Sequence, residues 1–383
     1  MNTPYLNEQH HLIRKSVRDF AEREIKPVAK ELDAKQEFSV ELTHKMGEMG
    51  LFGMLVSTEY GGQGLDYLSY IITVEEIARI DSSQAATVAA GNSLGINPIF
   101  YFGNEEQKRK YLPVLCTGKK LWGFGLTEPN AGSDSRNTKT NAYLDDGKWM
   151  INGSKIFITN ASTEITLGSI VQVVSREKDG GEKEFSTIIV ENGTPGFIAK
   201  TMHDKMMWRA SNTAELYFDN CIVPESNILG KQGQGSKIML STLDCGRLSI
   251  AAMGLGLAQG AYELALKYAQ ERVQFGKPIC KQQAIAFKLT DMALKIELAR
   301  NLLYKACWLK DNDFPFAKEA AMSKLYCSEV AKEVADEALQ IHGGYGLMKD
   351  YDIERFYRDQ RLLQIGEGTS EIQRLVISRY IGC

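Results

Sequence analysis

Several common signatures are missing from this 383-residue chain. The seven cysteines (Cys116, Cys221, Cys245, Cys280, Cys307, Cys327 and Cys383) are scattered, and no two form a CxxC pair. An odd, dispersed set reads as reduced thiols of an intracellular protein, not as a disulfide framework. The five histidines (His10, His11, His44, His203 and His342) show no metal-ligand spacing, so no metal site is expected. Excess charge of one sign is also lacking. Lys plus Arg is 45 and Asp plus Glu is 48, a net charge of -3, which gives no footprint for nucleic acid. No apolar run approaches the roughly 18 residues needed to span a bilayer, so no membrane association is expected. Met1 to Arg14 is polar and carries Glu8, the pattern of neither a signal nor a transit peptide, which leaves the cytoplasm as the expected location. There is no Walker A motif and no G-x-G-x-x-G after a strand: Gly254, Gly256 and Gly260 lie in a helical pattern with the wrong spacing. Any nucleotide cofactor must therefore be held outside a Rossmann or P-loop site.

What is present is ordinary globular composition, 44% hydrophobic and 24% charged, at a length that suits two or three domains. The chain divides by pattern into residues 1–120, 121–230 and 231–383. The first part is helical. Leu12, Ile13, Val17, Phe20 and Ile25 recur at helical spacing, and Pro27 is expected to kink or end that helix. Tyr67 to Ile80 reads as a second amphipathic stretch, Asp81 as a cap, and Glu105 to Leu115 as a short charged helix. The middle part has short β-branched and aromatic runs with a hairpin signal at Asp145-Asp146-Gly147, which predicts an antiparallel sandwich or barrel. The last part returns to helix over 237–270, 282–310 and 316–341, with a further helix after Ser370. Together these suggest a four-helix bundle and an α+β multidomain protein overall.

Five segments have the makings of a site. In Gln360 to Arg374, Glu367 stands between Gly366 and Gly368, before Thr369 and Ser370. Ser370 and Gln373 have capping-box spacing, which puts Glu367 in an open turn at a helix start, uncovered by neighbouring side chains. A carboxylate so placed suits a general base; an ordinary loop acid favoured by the helix dipole fits the same pattern. Phe124-Gly-Leu-Thr-Glu-Pro-Asn-Ala-Gly-Ser-Asp134 runs from a strand into a polar loop, either a ligand cradle or a plain connection. In Gly153-Ser-Lys-Ile-Phe-Ile-Thr-Asn160, Phe157 and Thr159 share a strand face and could flank a flat ring or face a core. Arg272 to Gly276 follows a long helix, and Gln340 to Gly346 ends another in a glycine cluster.

Taken together and in order, these segments resemble the acyl-CoA dehydrogenase family of flavoproteins over essentially the whole chain. The resemblance implies an N-terminal helical domain, a middle β-domain, a C-terminal four-helix bundle, bound FAD and a homotetramer built as a dimer of dimers. It implies FAD contacts at Phe124, Leu126, Thr127, Ser133, Phe157, Thr159, Thr369 and Glu371. Arg272, Phe275, Gln283, Gln340, Gly343 and Gly344 would reach the FAD of a neighbouring subunit. Ser133, Asp244, Arg247 and Gly368 would hold the acyl-CoA substrate. It further implies that Glu367 removes an α-proton from the thioester while a β-hydride passes to the flavin, with electrons going on to an electron-transfer flavoprotein, as in fatty acid β-oxidation.

Two departures sharpen the expectation. Many straight-chain members carry a tyrosine where this chain has Gly366, so a wider pocket for a branched or bulkier acyl group is expected. Members that place the base on the other helix do so where this chain has Gly246, so Glu367 has no rival. The alternatives are an enoyl-CoA reductase on the same fold, working in reverse, and a non-catalytic binding protein that keeps only the fold. Oxidases on this fold are typically much longer, so the 383-residue length argues against that reading.

Overall fold

The computed structural model describes residues 4–177 and 182–383. The helical N-terminal part comprises α1 (Glu8–Phe20), α2 (Lys26–Lys35), α3 (Val40–Glu48), α4 (Tyr67–Ala78), α5 (Ser82–Ala90), α6 (Asn97–Phe102) and α7 (Glu105–Leu115). Pro27 does not end its helix. A wide π-turn over Ala21–Ile25 precedes it and takes up the missing N–H of Pro27, which falls in the first turn of α2. Asp81 caps α5 as expected, accepting from the Gln84 N–H at 2.8 Å. The expectation for α4 changes: all twelve of its residues are buried, so it has no solvent face. It runs between α1, α5 and α8, and its two acids, Glu75 and Glu76, are covered by arginines from other helices. Burying Tyr70, Ile71 or Val74 stabilises by about 1.5–3 kcal/mol each.

The middle part forms one curled sheet from β1 (Leu121–Gly125), β2 (Asn141–Asp145), β3 (Lys148–Thr159), β4 (Thr166–Glu177), β5 (Lys183–Glu191), β6 (Phe197–Thr201) and β7 (Thr213–Pro224). The order is β1-β4-β2-β3-β7-β6, with β5 also paired to β4. The hairpin between β2 and β3 turns on Asp146 and Gly147, both with positive φ, as its sequence predicts. Antiparallel pairing holds for β2·β3, β3·β7, β4·β5 and β6·β7, but β1 and β2 each meet β4 in parallel. Periodicity sets which face of a strand is buried. It carries nothing about the direction of a distant partner. This sheet has its own core around Trp149, Ile151, Val173 and Leu216.

The last part contains α8 (Gly235–Glu271), a small hairpin of β8 (Val273–Gln274) and β9 (Lys277–Pro278), then α9 (Gln283–Asp311), α10 (Ala317–His342), α11 (Ile353–Asp359) and α12 (Ser370–Tyr380). Contrary to the expectation from hydropathy, α8 is long and apolar enough to cross a bilayer by composition; most of that stretch is instead buried inside the protein. Its glycines explain the close packing. A Cβ on Gly256 would lie 2.1 Å from the Glu75 carbonyl oxygen, and one on Gly260 would lie 2.0 Å from that of Arg79, so α4 can press directly on the α8 backbone. The helices before and after the sheet share one continuous core.

Candidate functional site

Glu367 lies in the turn before α12. Its φ is +51° and that of Gly368 is +90°, so two consecutive residues are left-handed and the chain reverses sharply. The cap of α12 sits one residue earlier than predicted: the Thr369 hydroxyl accepts from the Ile372 N–H at 3.3 Å. This frees Gln373, whose side-chain amide donates back to the carbonyls of Glu367 at 3.3 Å and Gly368 at 2.9 Å. From α10, the Lys324 ammonium also donates to the Gly368 carbonyl, at 2.7 Å. The turn is therefore pinned from two sides.

The Glu367 carboxyl is less open than the sequence suggested. The residue is half-buried: its Oε2 is covered and has no hydrogen-bond partner. The side chain lies against α8 at Gly246, where an added Cβ would stand only 1.8 Å from Oε2. Gly246 is thus the seat of the carboxylate. Burial pushes the Glu367 carboxyl up to about 7, while Lys324 and Arg247 pull it the other way. Arg247 is itself buried and pairs with Asp244 one turn earlier. Such a carboxyl is about half ionised at neutral pH and has a lone pair free for a proton. The Glu367 N–H makes no hydrogen bond with the described residues, which leaves it available to a ligand carbonyl. A Cβ on Gly366 would lie 3.3 Å from Leu362 Cδ2, so Leu362 fills part of the space that the missing tyrosine opens.

The polar loop after β1 is stapled to β3. The Ile156 N–H donates to the Thr127 carbonyl at 2.9 Å. Beneath it, Lys155 and Glu128 form a fully buried pair at 2.7 Å, and Glu128 also accepts from the backbone of Lys139 at 2.7 Å and Thr140 at 3.0 Å. Sequence reasoning missed both charges. Their signal was a lysine at a core-facing strand position and an acid in the loop beside it. The staple brings Leu126 and Thr127 alongside Phe157. The strand bulges between Lys155 and Ile158, and Phe157 takes φ +62°. Its ring is turned outward, 61% exposed, with Thr159 half-buried beyond it. Phe124 is buried within β1, and Ser133 is exposed on the loop.

A second group lies elsewhere. Arg272, His342, Gly343, Gly344 and Tyr345 line a cavity of about 550 Å³. The Arg272 guanidinium stands 5.5 Å from the Tyr345 ring centre. Open backbone at Gly343 and Gly344, with nothing within 4 Å of an added Cβ, suits a phosphate-bearing or flat ligand. Phe275, at the tip of the β8–β9 hairpin, is 90% exposed, and Gln283 and Gln340 are exposed. Arg247 and Arg272 are 25 positions apart along α8, which separates the two groups by roughly 37 Å. The residues fit FAD if its two ends lie against different chains, as the resemblance implies. Glu371 is exposed in the first turn of α12, beside Thr369.

Three family models match in order: the acyl-CoA dehydrogenase N-terminal domain over residues 7–119, the middle domain over 123–221 and the C-terminal domain over 233–382. A probable acyl-CoA dehydrogenase of Bacillus subtilis is 48% identical over 98% of both chains. An acryloyl-CoA reductase (NADH) of Anaerotignum propionicum is 44% identical over 98% of this chain and 95% of its own. Among solved structures, butyryl-CoA dehydrogenase of Megasphaera elsdenii superposes with a TM-score of 0.95 at 43% identity, covering all of both chains. A chain from a structure of the electron transferring flavoprotein of Acidaminococcus fermentans also has a TM-score of 0.95, at 44% identity and full coverage of both.

Proposed function

The chain belongs to the acyl-CoA dehydrogenase family, and from that premise we infer an FAD-dependent oxidoreductase that converts a short acyl-CoA thioester to its trans-2-enoyl-CoA. Glu367 is the base. The single observation that carries this reading is its carboxyl, buried against Gly246 without a hydrogen-bond partner and raised to about 7.

The chemistry follows from the site. An α-hydrogen of a thioester is too weakly acidic for a carboxylate unless the enolate is stabilised. The Glu367 N–H, free in the turn, supplies a donor for the thioester oxygen. The Glu367 carboxylate takes the α-proton. When bound, FAD supplies the acceptor for the hydride that leaves the β-carbon. Leu126, Thr127, Phe157 and Thr159 form the face for the flavin ring, and Arg272, Phe275, Gln283, Gln340, Gly343 and Gly344 hold the far end of a neighbour's FAD. Ser133, Asp244, Arg247 and Gly368 serve the CoA thioester. The likeness to a butyryl-CoA dehydrogenase favours a short chain, and a branch would have to fit in the space beside Gly366 that Leu362 does not fill.

Electrons go to an electron-transfer flavoprotein, a reading supported by the A. fermentans likeness. A homotetramer is supported by the separation of the two groups along α8 and by the exposed Phe275, Phe287, Leu294 and Leu298. A reducing, cytoplasmic location is supported by the scattered free cysteines, and a place in β-oxidation by the acyl-CoA dehydrogenation itself. The reductase of A. propionicum keeps the reverse direction as a second reading.

The test is anaerobic titration of the holoenzyme with straight and branched acyl-CoAs, following flavin absorbance, for wild type and Glu367→Gln. Bleaching by wild type, slowed roughly 10²–10⁴-fold in the variant, is expected. Equal bleaching by both places the base elsewhere. Reoxidation of the reduced enzyme by an enoyl-CoA, with no bleaching by any acyl-CoA, assigns the reductase direction.

A further inference from the structure

The second buried charge at the site has no place in the chemistry derived so far. Lys324 lies on the inward stripe of α10, among Ala320, Ala321, Cys327 and Ser328, and is fully buried. A lysine in such a place is rare unless it is paired, because its charge loses water. Among the described residues its one hydrogen bond is to a neutral group, the Gly368 carbonyl at 2.7 Å. That carbonyl already has a neutral donor in Gln373 Nε2 at 2.9 Å. The lysine therefore adds a charge beyond what holding the turn requires.

We propose that Lys324 is a positioning residue for proton abstraction: its buried ammonium anchors the turn through Gly368 and sets the ionisation of Glu367. The inference rests on Glu367 being the base. Of the charged groups near the two side chains, Lys324 is the first that favours the ionised form of Glu367, ahead of Arg247. Arg247 on α8 is engaged by Asp244. Glu329 on α10 is engaged by Gln364 at 3.2 Å and Arg374 at 3.6 Å. Glu371 on α12 is exposed, and Tyr70 on α4 donates to the Ala89 carbonyl at 3.0 Å. Burial pulls the Lys324 ammonium down to about 8, with Glu367 the first group opposing that fall. At pH 7 the cation is still present while the neighbouring carboxyl is losing its proton. Removing the cation makes the buried carboxylate harder to form and moves its midpoint upward.

The experiment uses the holoenzyme of wild type, Lys324→Met, Lys324→Gln and Lys324→Arg. Two quantities are followed against pH: the rate of flavin bleaching by butyryl-CoA, and the infrared carboxyl band that disappears in Glu367→Gln. The band needs no turnover, so it reads Lys324 even if another group proves to be the base. The expected result is a shift of the band midpoint and of the acidic limb, together, to higher pH by about one unit in Lys324→Met and Lys324→Gln, with Lys324→Arg close to wild type. An unmoved midpoint in the two neutral variants overturns the proposal, even if their rates fall evenly at all pH values, because that is what a purely structural lysine would give. If Lys324→Met does not fold, the contrast between Gln and Arg decides by the same readout.

Discussion

Two glutamates on the helical side of this protein, one buried and one half-buried with a covered oxygen, have opposite fates. Glu75 on α4 is met by the Arg300 guanidinium at 3.1 Å, by Arg14 at 3.5 Å and by the Tyr304 hydroxyl. Burial disfavours its charge, but the two guanidiniums and the hydroxyl outweigh burial and hold it below the ordinary carboxylate range. Glu367 has a covered carboxylate oxygen with no hydrogen-bond partner, and burial lifts it to about 7. Depth alone therefore does not make a base. What matters is which hydrogen bonds the fold withholds. Glu75 is a permanent anion that ties α4 to α9, whereas Glu367 is kept unsatisfied for a proton.

The same substitution should then act in opposite directions at the two sites. Glu75→Gln leaves Arg300 and Arg14 short of a partner in the core and is expected to destabilise by about 4 kcal/mol in denaturant melts, with the chemistry of the folded fraction intact. Glu367→Gln should stabilise. The folded carboxyl is raised above its unfolded value, so the cost of burying its charge is absent below about pH 4.5, grows up to about 7 and is constant above. Melts of the two proteins should coincide in acid and separate across that window, with the variant ahead by at most about 3 kcal/mol at pH 8. Parallel curves would mean that Glu367 is solvated after all. Gly246→Ala tests geometry without touching charge. Its Cβ must displace the carboxylate, so bleaching by butyryl-CoA should slow by about 10²-fold while the melt moves little. An unchanged rate would remove Gly246 as the seat.

The legible parts of the molecule were those with local causes. The three long helices fall within two residues of their predicted spans because apolar faces and flanking glycines mark them. Glu367 was legible as a residue between glycines before a helix. Its seat was not, since Gly246 lies far away in sequence and reads there only as a small residue in an apolar helix. Burial of α4 on every side, the parallel pairing of β1 with β4 and the outward turn of Phe157 at its bulge all depend on distant segments. Lys324 had left a trace: a lysine among alanines on the buried stripe of α10 breaks the pattern that places it inside.

The central claim, that the fold makes Glu367 a base by covering it without a partner, is tested most directly by kcat/KM for butyryl-CoA against pH, which reports the free enzyme. The account predicts a rise of about tenfold per pH unit that levels off near pH 7 and is lost in Glu367→Gln. A limb that levels off near the ordinary carboxylate value of about 4.3 would contradict it.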